Sequence, residues 1–219
     1  MSHQNPVFSV VYRLTISVIV AALTLTTLGS NVASARYITT VKDWTDGNAQ
    51  IGVGCNVSAD ATTFGQVVTI PHRIHSMYKF RFELSNDPKV ALGSMVVRGE
   101  VYAWDGTKAS GSALWETKPR TISFADYAFQ KIVFQSGYVP VTPGQQYVVF
   151  ASIDKDYGAC VSGSWFDVGG PGSELGDLYP EGYLAYQKNG GDATQWTTSN
   201  WTIGYQGTAD LAFSVRVNH

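Results

Sequence analysis

Residues 209–217 read Ala-Asp-Leu-Ala-Phe-Ser-Val-Arg-Val (ADLAFSVRV). Leu211, Phe213, Val215 and Val217 fall on one side of an extended chain, and Asp210, Ser214 and Arg216 on the other. A period of two is the mark of a strand with one face buried. The same alternation runs from Met77 to Leu84, where Tyr78, Phe80, Phe82 and Leu84 oppose Lys79, Arg81 and Glu83. It recurs from Met95 to Trp104, with Met95, Val97, Val101 and Ala103 opposing Arg98, Glu100, Tyr102 and Trp104. Gln146 to Ile153 is apolar on both faces, as a central strand covered on both sides would be. Shorter candidates are Thr63–Ile70, Ala113–Thr117, Gln130–Gln135 and Tyr183–Gln187, separated by Gly, Pro, Asn and Asp clusters such as Asp105-Gly106 and Pro143-Gly144. No stretch past residue 36 sustains a 3.6-residue period, and no internal repeat or linker divides the chain. The expected fold is all-β: one antiparallel β-sandwich over residues 36–219. Gly163 to Pro180 is the longest aperiodic stretch and is expected to be a loop.

The first 35 residues read differently. Arg13 is the only charged residue up to that point, an apolar run follows from Leu14 to Leu28, and Ala33-Ser34-Ala35 has the small-x-small form of a cleavage site. This is the pattern of a helical secretory signal peptide over residues 1–35. The apolar run is too short to span a bilayer, which takes about 20 residues. Cleavage leaves roughly 184 residues and no integral membrane segment. The expected location is secreted, periplasmic or at the cell surface.

Composition narrows the function classes. With 44% hydrophobic residues the chain can build a core, so it is not a disordered segment. Only 15% of residues are charged, against roughly a quarter in an average soluble domain, and the formal net charge is −2. There is no basic excess to neutralise phosphates, so nucleic acid is not an expected partner. The two cysteines, Cys55 and Cys160, are expected to pair in an oxidising compartment. Together with four histidines they make no convincing zinc site, and no metal or other cofactor is expected.

Three stretches carry a family resemblance: Val101–Leu114 (VYAWDGTKASGSAL), Val139–Ala151 (VPVTPGQQYVVFA) and Asp210–Val217 (DLAFSVRV). A strand runs into a Trp-Asp-Gly turn, a Pro-Gly turn leads to an apolar strand, and a Gly/Tyr/Trp-rich region precedes the closing strand. Over roughly residues 60 to 219 this order resembles exported bacterial jelly-roll domains of unassigned function, often found in surface or matrix proteins. The resemblance implies a jelly-roll form of the sandwich and an extracytoplasmic address. It implies no catalytic residues. Such domains often carry a C-terminal sorting segment, and none follows Val217 in this sequence.

Candidate chemistry starts from carboxylates, since secreted sandwiches that cleave glycans place two acids on one face. Glu83 and Glu100 are the pair on strand faces, and a hydrolase reading requires their strands to be neighbours. Each also has basic residues on its own face, which suits a solvated surface better. No Gly-x-Ser-x-Gly elbow is present, and His72 and His75 lack a third partner. Asp154-x-Asp156 and Asp105-Gly106 read as turn-formers rather than calcium loops. The aromatic excess, 13% of residues, is more informative. Flat sugar faces stack on aromatic rings with hydrogen-bonding neighbours. Tyr102 and Trp104 beside Arg98 and Glu100, with Trp196 and Trp201, form the expected ligand-binding set. The expected function is a non-catalytic module binding an extracellular polysaccharide, cell-surface glycan or other polymer. A structural or adhesive matrix domain without a small ligand is the alternative, and a hydrolase using Glu83 and Glu100 comes third.

Overall fold

The computed structural model describes residues 36–40, 48–55, 61–86, 93–160, 165–170 and 177–218. The expected signal peptide lies outside the described residues. Two antiparallel sheets face each other. The first contains, in order, β1 (Arg36–Thr39), β13 (Phe213–Asn218), β4 (Ser76–Asn86), β10 (Trp165–Gly170) and β2 (Asn48–Gly54). β8 (Gln130–Pro140) pairs with the opposite side of β4. The second sheet runs β12 (Thr202–Ile203), β11 (Tyr183–Gln187), β3 (Thr63–Thr69), β9 (Gln146–Ser152), β5 (Ser94–Trp104) and β6 (Ala109–Glu116), with β7 (Arg120–Ser123) also on β5. This is the expected β-sandwich.

The alternating residues fill the space between the sheets. Phe80, Phe82 and Leu84 of β4, Phe213, Val215 and Val217 of β13, and Val97 and Val101 of β5 belong to one buried cluster. Phe134 of β8 stacks on Phe80 with ring centroids 4.9 Å apart. It reaches β5 because residue 99 is glycine: a Cβ there would sit 2.3 Å from the Phe134 ring.

Two local expectations are corrected. Tyr78 does not point inward. β4 carries one more residue than β13 between the pairs Met77–Val217 and Lys79–Arg216, so Tyr78 bulges and Met77 takes the core position. Trp165–Gly170, inside the stretch expected to be a loop, is a strand between β2 and β4. Only Phe166 and Val168 alternate inward there, and two glycines follow, too short a run to register as periodic.

β9 is covered on both faces, as its sequence implied. Tyr147, Val149 and Ala151 join the main core, while Val148 and Phe150 join a second cluster on the outer face of the second sheet. Residues 188–201 cover that face. Gly190 and Gly191 take φ of 60° and 97°, and the Asp192 carboxylate accepts from Thr194 N at 3.0 Å, which turns the chain into the short helix α1 (Gln195–Thr198). A disulfide joins Cys55, just past β2, to Cys160, just past a 3₁₀ segment at Asp154–Ala159 that follows β9. It therefore ties one sheet to the other across 105 residues of chain. No helix among the described residues is long and apolar enough to cross a membrane.

Candidate functional site

All six residues of the expected ligand set gather on the outer face of the second sheet. Their arrangement is closed, however. Trp196 is 1% exposed and Trp201 4%, while Tyr102 and Trp104 are also buried. The rings pack edge to face around Phe150: Trp196 at 5.0 Å, Trp201 at 5.2 Å, with Trp104 against Trp201 at 5.6 Å. Their N–H groups are turned to protein acceptors. Trp104 Nε1 donates to Tyr183 Oη at 2.9 Å, and Trp201 Nε1 to the Trp196 carbonyl at 2.9 Å. The expectation of an open aromatic platform is therefore corrected, because the 188–201 segment needs these rings as its own core.

Trp196 is fixed by a buried polar knot. Its Nε1 donates to Asp154 Oδ2 at 2.9 Å, and Asp154 also accepts from Thr63 Oγ1 at 2.7 Å, Asn189 Nδ2 at 3.1 Å and Gly191 N at 3.2 Å. Asp154 is thus a structural acceptor for the covering segment. Asp105 accepts from Thr107 N and Lys108 N and forms the β5–β6 turn.

Arg98 and Glu100 enter an ion cluster at the border of this cover. Arg98 Nε meets Asp156 Oδ2 at 2.7 Å and its Nη1 meets Glu116 Oε1 at 2.7 Å. Lys155 Nζ lies 3.1 Å from Glu100 Oε1, bonds Glu116, and sits 5.0 Å from the Trp196 ring centroid. Glu100 is fully buried, and burial pushes its carboxyl up to about 7 against the pull of Lys155. Glu83 is on β4 in the other sheet, and its neighbours Phe82 and Leu84 face the core, so it points outward there. The two glutamates stand on opposite outer faces with the core between them. The hydrolase pairing is corrected on that ground, since sheets alone stack about 10 Å apart and a retaining pair needs roughly 5 Å.

An open surface with two cavities lies elsewhere, along edge strand β1. Tyr37 is 53% exposed. Two cavities flank it and share Tyr37 and Thr39. One, of about 310 Å³, runs over the outer face of the first sheet and is lined by Lys79, Arg81, Val133 and Ser214. The other, of about 470 Å³, lies toward the second sheet against Thr69, Pro71, His72, Tyr179 and Glu181.

The strand register builds the first groove. Tyr37, Arg216, Lys79 and Gln135 form one cross-strand row, and Thr39, Ser214, Arg81 and Val133 the next. The second groove owes its wall to Asp210. Its buried carboxylate accepts from Tyr179 N at 2.8 Å, Leu178 N at 3.1 Å and Gln66 Nε2 at 2.7 Å. Burial pushes Asp210 up to about 6 despite these bonds. Tyr179 Oη in turn donates to the Thr69 carbonyl at 3.1 Å.

Sequence reasoning passed over Tyr37 and treated Lys79, Arg81 and Arg216 as ordinary outward residues. The available signal was their phase: all three cations oppose core residues on strands whose outer face carries few acids. No protein-family model and no curated protein sequence matches the chain, so its site is read from its own chemistry.

Proposed function

We propose that the chain is a non-catalytic, exported β-sandwich module, jelly-roll-like in form, that binds an extracellular polysaccharide or related polymer along the β1 edge. The observation that carries this reading is the half-exposed Tyr37 ring between two cavities lined by hydroxyl and charged side chains. An aromatic surface flanked by a few placed polar groups is the usual make-up of a sugar site. Two grooves meeting at one exposed ring suit a chain-like ligand that continues past the site. The disulfide supports an oxidising, extracytoplasmic compartment. The resemblance to exported jelly-roll domains points the same way.

A matrix or adhesive domain without a small ligand is the second reading. It is favoured by the burial of the tryptophans, which serve packing rather than contact. Affinity electrophoresis through gels containing cellulose derivatives, soluble chitin, mannan, dextran or polygalacturonate separates the two. Polymer binding predicts retardation by at least one gel and about tenfold weaker retention for Tyr37→Ala, the equivalent of 1.4 kcal/mol. Free migration through all of them would move the assignment to the matrix reading.

A further inference from the structure

The outer face of the first sheet departs from a general rule of strand pairing. Lys79 and Arg216 are direct cross-strand partners, a position where like charges repel. Arg81 follows two residues along β4 on the same face, opposite Ser214. Among the described residues none of these three cations is in an ion pair. Arg216 Nε is moreover buried without a hydrogen-bond partner. The nearest carboxylate along β4 is Glu83, which the charges of Lys131 and Arg81 share. Among the described residues no carboxylate lies within ion-pair distance of Lys79 or Arg216. The chain as a whole carries a net charge of −2, so this clustering is not the overflow of a basic protein.

A row of unpaired cations costs stability, and a site that breaks a local rule without a structural gain is a candidate for function. The guanidinium forks of Arg81 and Arg216 match the planar or tetrahedral oxygens of carboxylate and sulfate. Lys79 Nζ lies 6.0 Å from the centroid of the Tyr37 ring, which places charge and aromatic surface in the same groove. The cavity, about 310 Å³, is large enough for a short stretch of polysaccharide.

We infer that this face binds an acidic polysaccharide, with Lys79, Arg81 and Arg216 as counter-charges for its carboxylate or sulfate groups and Tyr37 as the ring on which a sugar stacks. The inference rests on the polymer-binding reading and adds to it the charge of the ligand and the face that meets it. The test is affinity electrophoresis of the purified protein in gels holding polygalacturonate, dextran sulfate, unmodified dextran or single-stranded DNA, at low and high salt. Retardation by polygalacturonate, dextran sulfate or both is expected, and the choice between them identifies carboxylate or sulfate. Unmodified dextran should not retard the protein. High salt should weaken retention, because the groove is open and screened. Arg81→Gln and Lys79→Gln should each weaken it about tenfold, with unchanged circular dichroism and a melting temperature no lower than that of the parent chain, since each removes a like charge from the row. Lys118→Gln, at an exposed lysine between β6 and β7, should have no effect. Retention by dextran that Arg81→Gln leaves intact would overturn the acidic ligand and leave the polymer-binding reading standing. Retention by DNA equal to that by the acidic glycans would overturn the sugar specificity. Free migration through these gels and through the wider polysaccharide panel would overturn both.

Discussion

Trp196 and Asp154 show how one residue pair holds a whole segment in place. The indole is buried against Phe150 and Tyr102, and its N–H ends on a carboxylate that also accepts three other donors. Trp196→Ala removes a large buried ring and is expected to cost about 3–5 kcal/mol in urea denaturation. A cost below about 1 kcal/mol would show that the cover does not depend on it. Glu100 sets the pH response. The folded protein holds its proton up to about pH 7, whereas the unfolded chain releases it near 4.5. Lys155, Arg98, Glu116 and Tyr102 are the charged or titratable groups around it. Stability therefore falls as pH rises through that interval. Asp210, pushed up to about 6, acts with the same sign. Glu116 acts the other way. Burial pushes it up, but hydrogen bonds from Lys155 and Arg98 hold it below its usual range, so its contribution is lost only as pH falls beneath 4.5. Thermal melting is expected to peak at about pH 5, with a shallower decline toward pH 8 in Glu100→Gln. A midpoint that rises steadily from pH 5 to pH 8 would contradict this. The sequence marked Trp196, Tyr102, Arg98 and Glu100 as chemically interesting and Asp154 only as a turn-former. It did not show that the tryptophans are consumed by packing, because the partner rings come from segments more than 40 residues away.

Strands reveal themselves in the sequence in proportion to how cleanly they alternate. β13 and β5 have one unbroken phase each, and both faces were legible. β9 was legible as covered on both sides, although what covers its outer face was not: the 188–201 segment has no periodicity and is held by turns and a polar knot. β10 escaped notice because two inward residues make no period. β1 escaped because four residues beside the expected cleavage site give too little pattern. Its single inward residue, Ile38, hides the point that matters, since Tyr37 and Thr39 flank it on the open face. At this scale the structure predicts a gradient of hydrogen exchange. Amides of β9, paired on both sides and buried on both faces, should exchange slowest, while those of the edge strand β1 and of β7 should exchange first. Fast exchange in β9 would contradict the double cover. Gly99→Ala tests the close approach of the sheets. Its methyl group would collide with the Phe134 ring, and a loss of about 1–3 kcal/mol is expected for such overpacking.

The whole molecule divides its aromatic and charged residues between two outer faces. The second sheet spends its tryptophans on a second small core and balances its charges in the Arg98–Glu116–Lys155–Asp156 cluster. The first sheet leaves Tyr37, Lys79 and Arg81 lining an open groove. The Cys55–Cys160 bond fastens the two sheets together. Reduction should add two daltons and lower unfolding free energy by about 4–5 kcal/mol on the chain-entropy model; an unchanged urea midpoint would show that the bond constrains nothing. The central claim is that the open β1 edge meets the ligand and the buried tryptophan face does not. Amide chemical-shift mapping on the folded protein, titrated separately with oligogalacturonate and with sulfated dextran oligosaccharide, tests it most directly. Shifts gathered at Tyr37, Thr39, Lys79, Arg81, Ser214 and Arg216, with Trp104, Trp196 and Trp201 unmoved, are the predicted result. Shifts gathered at the three tryptophans, with β1 and β4 silent, would contradict it.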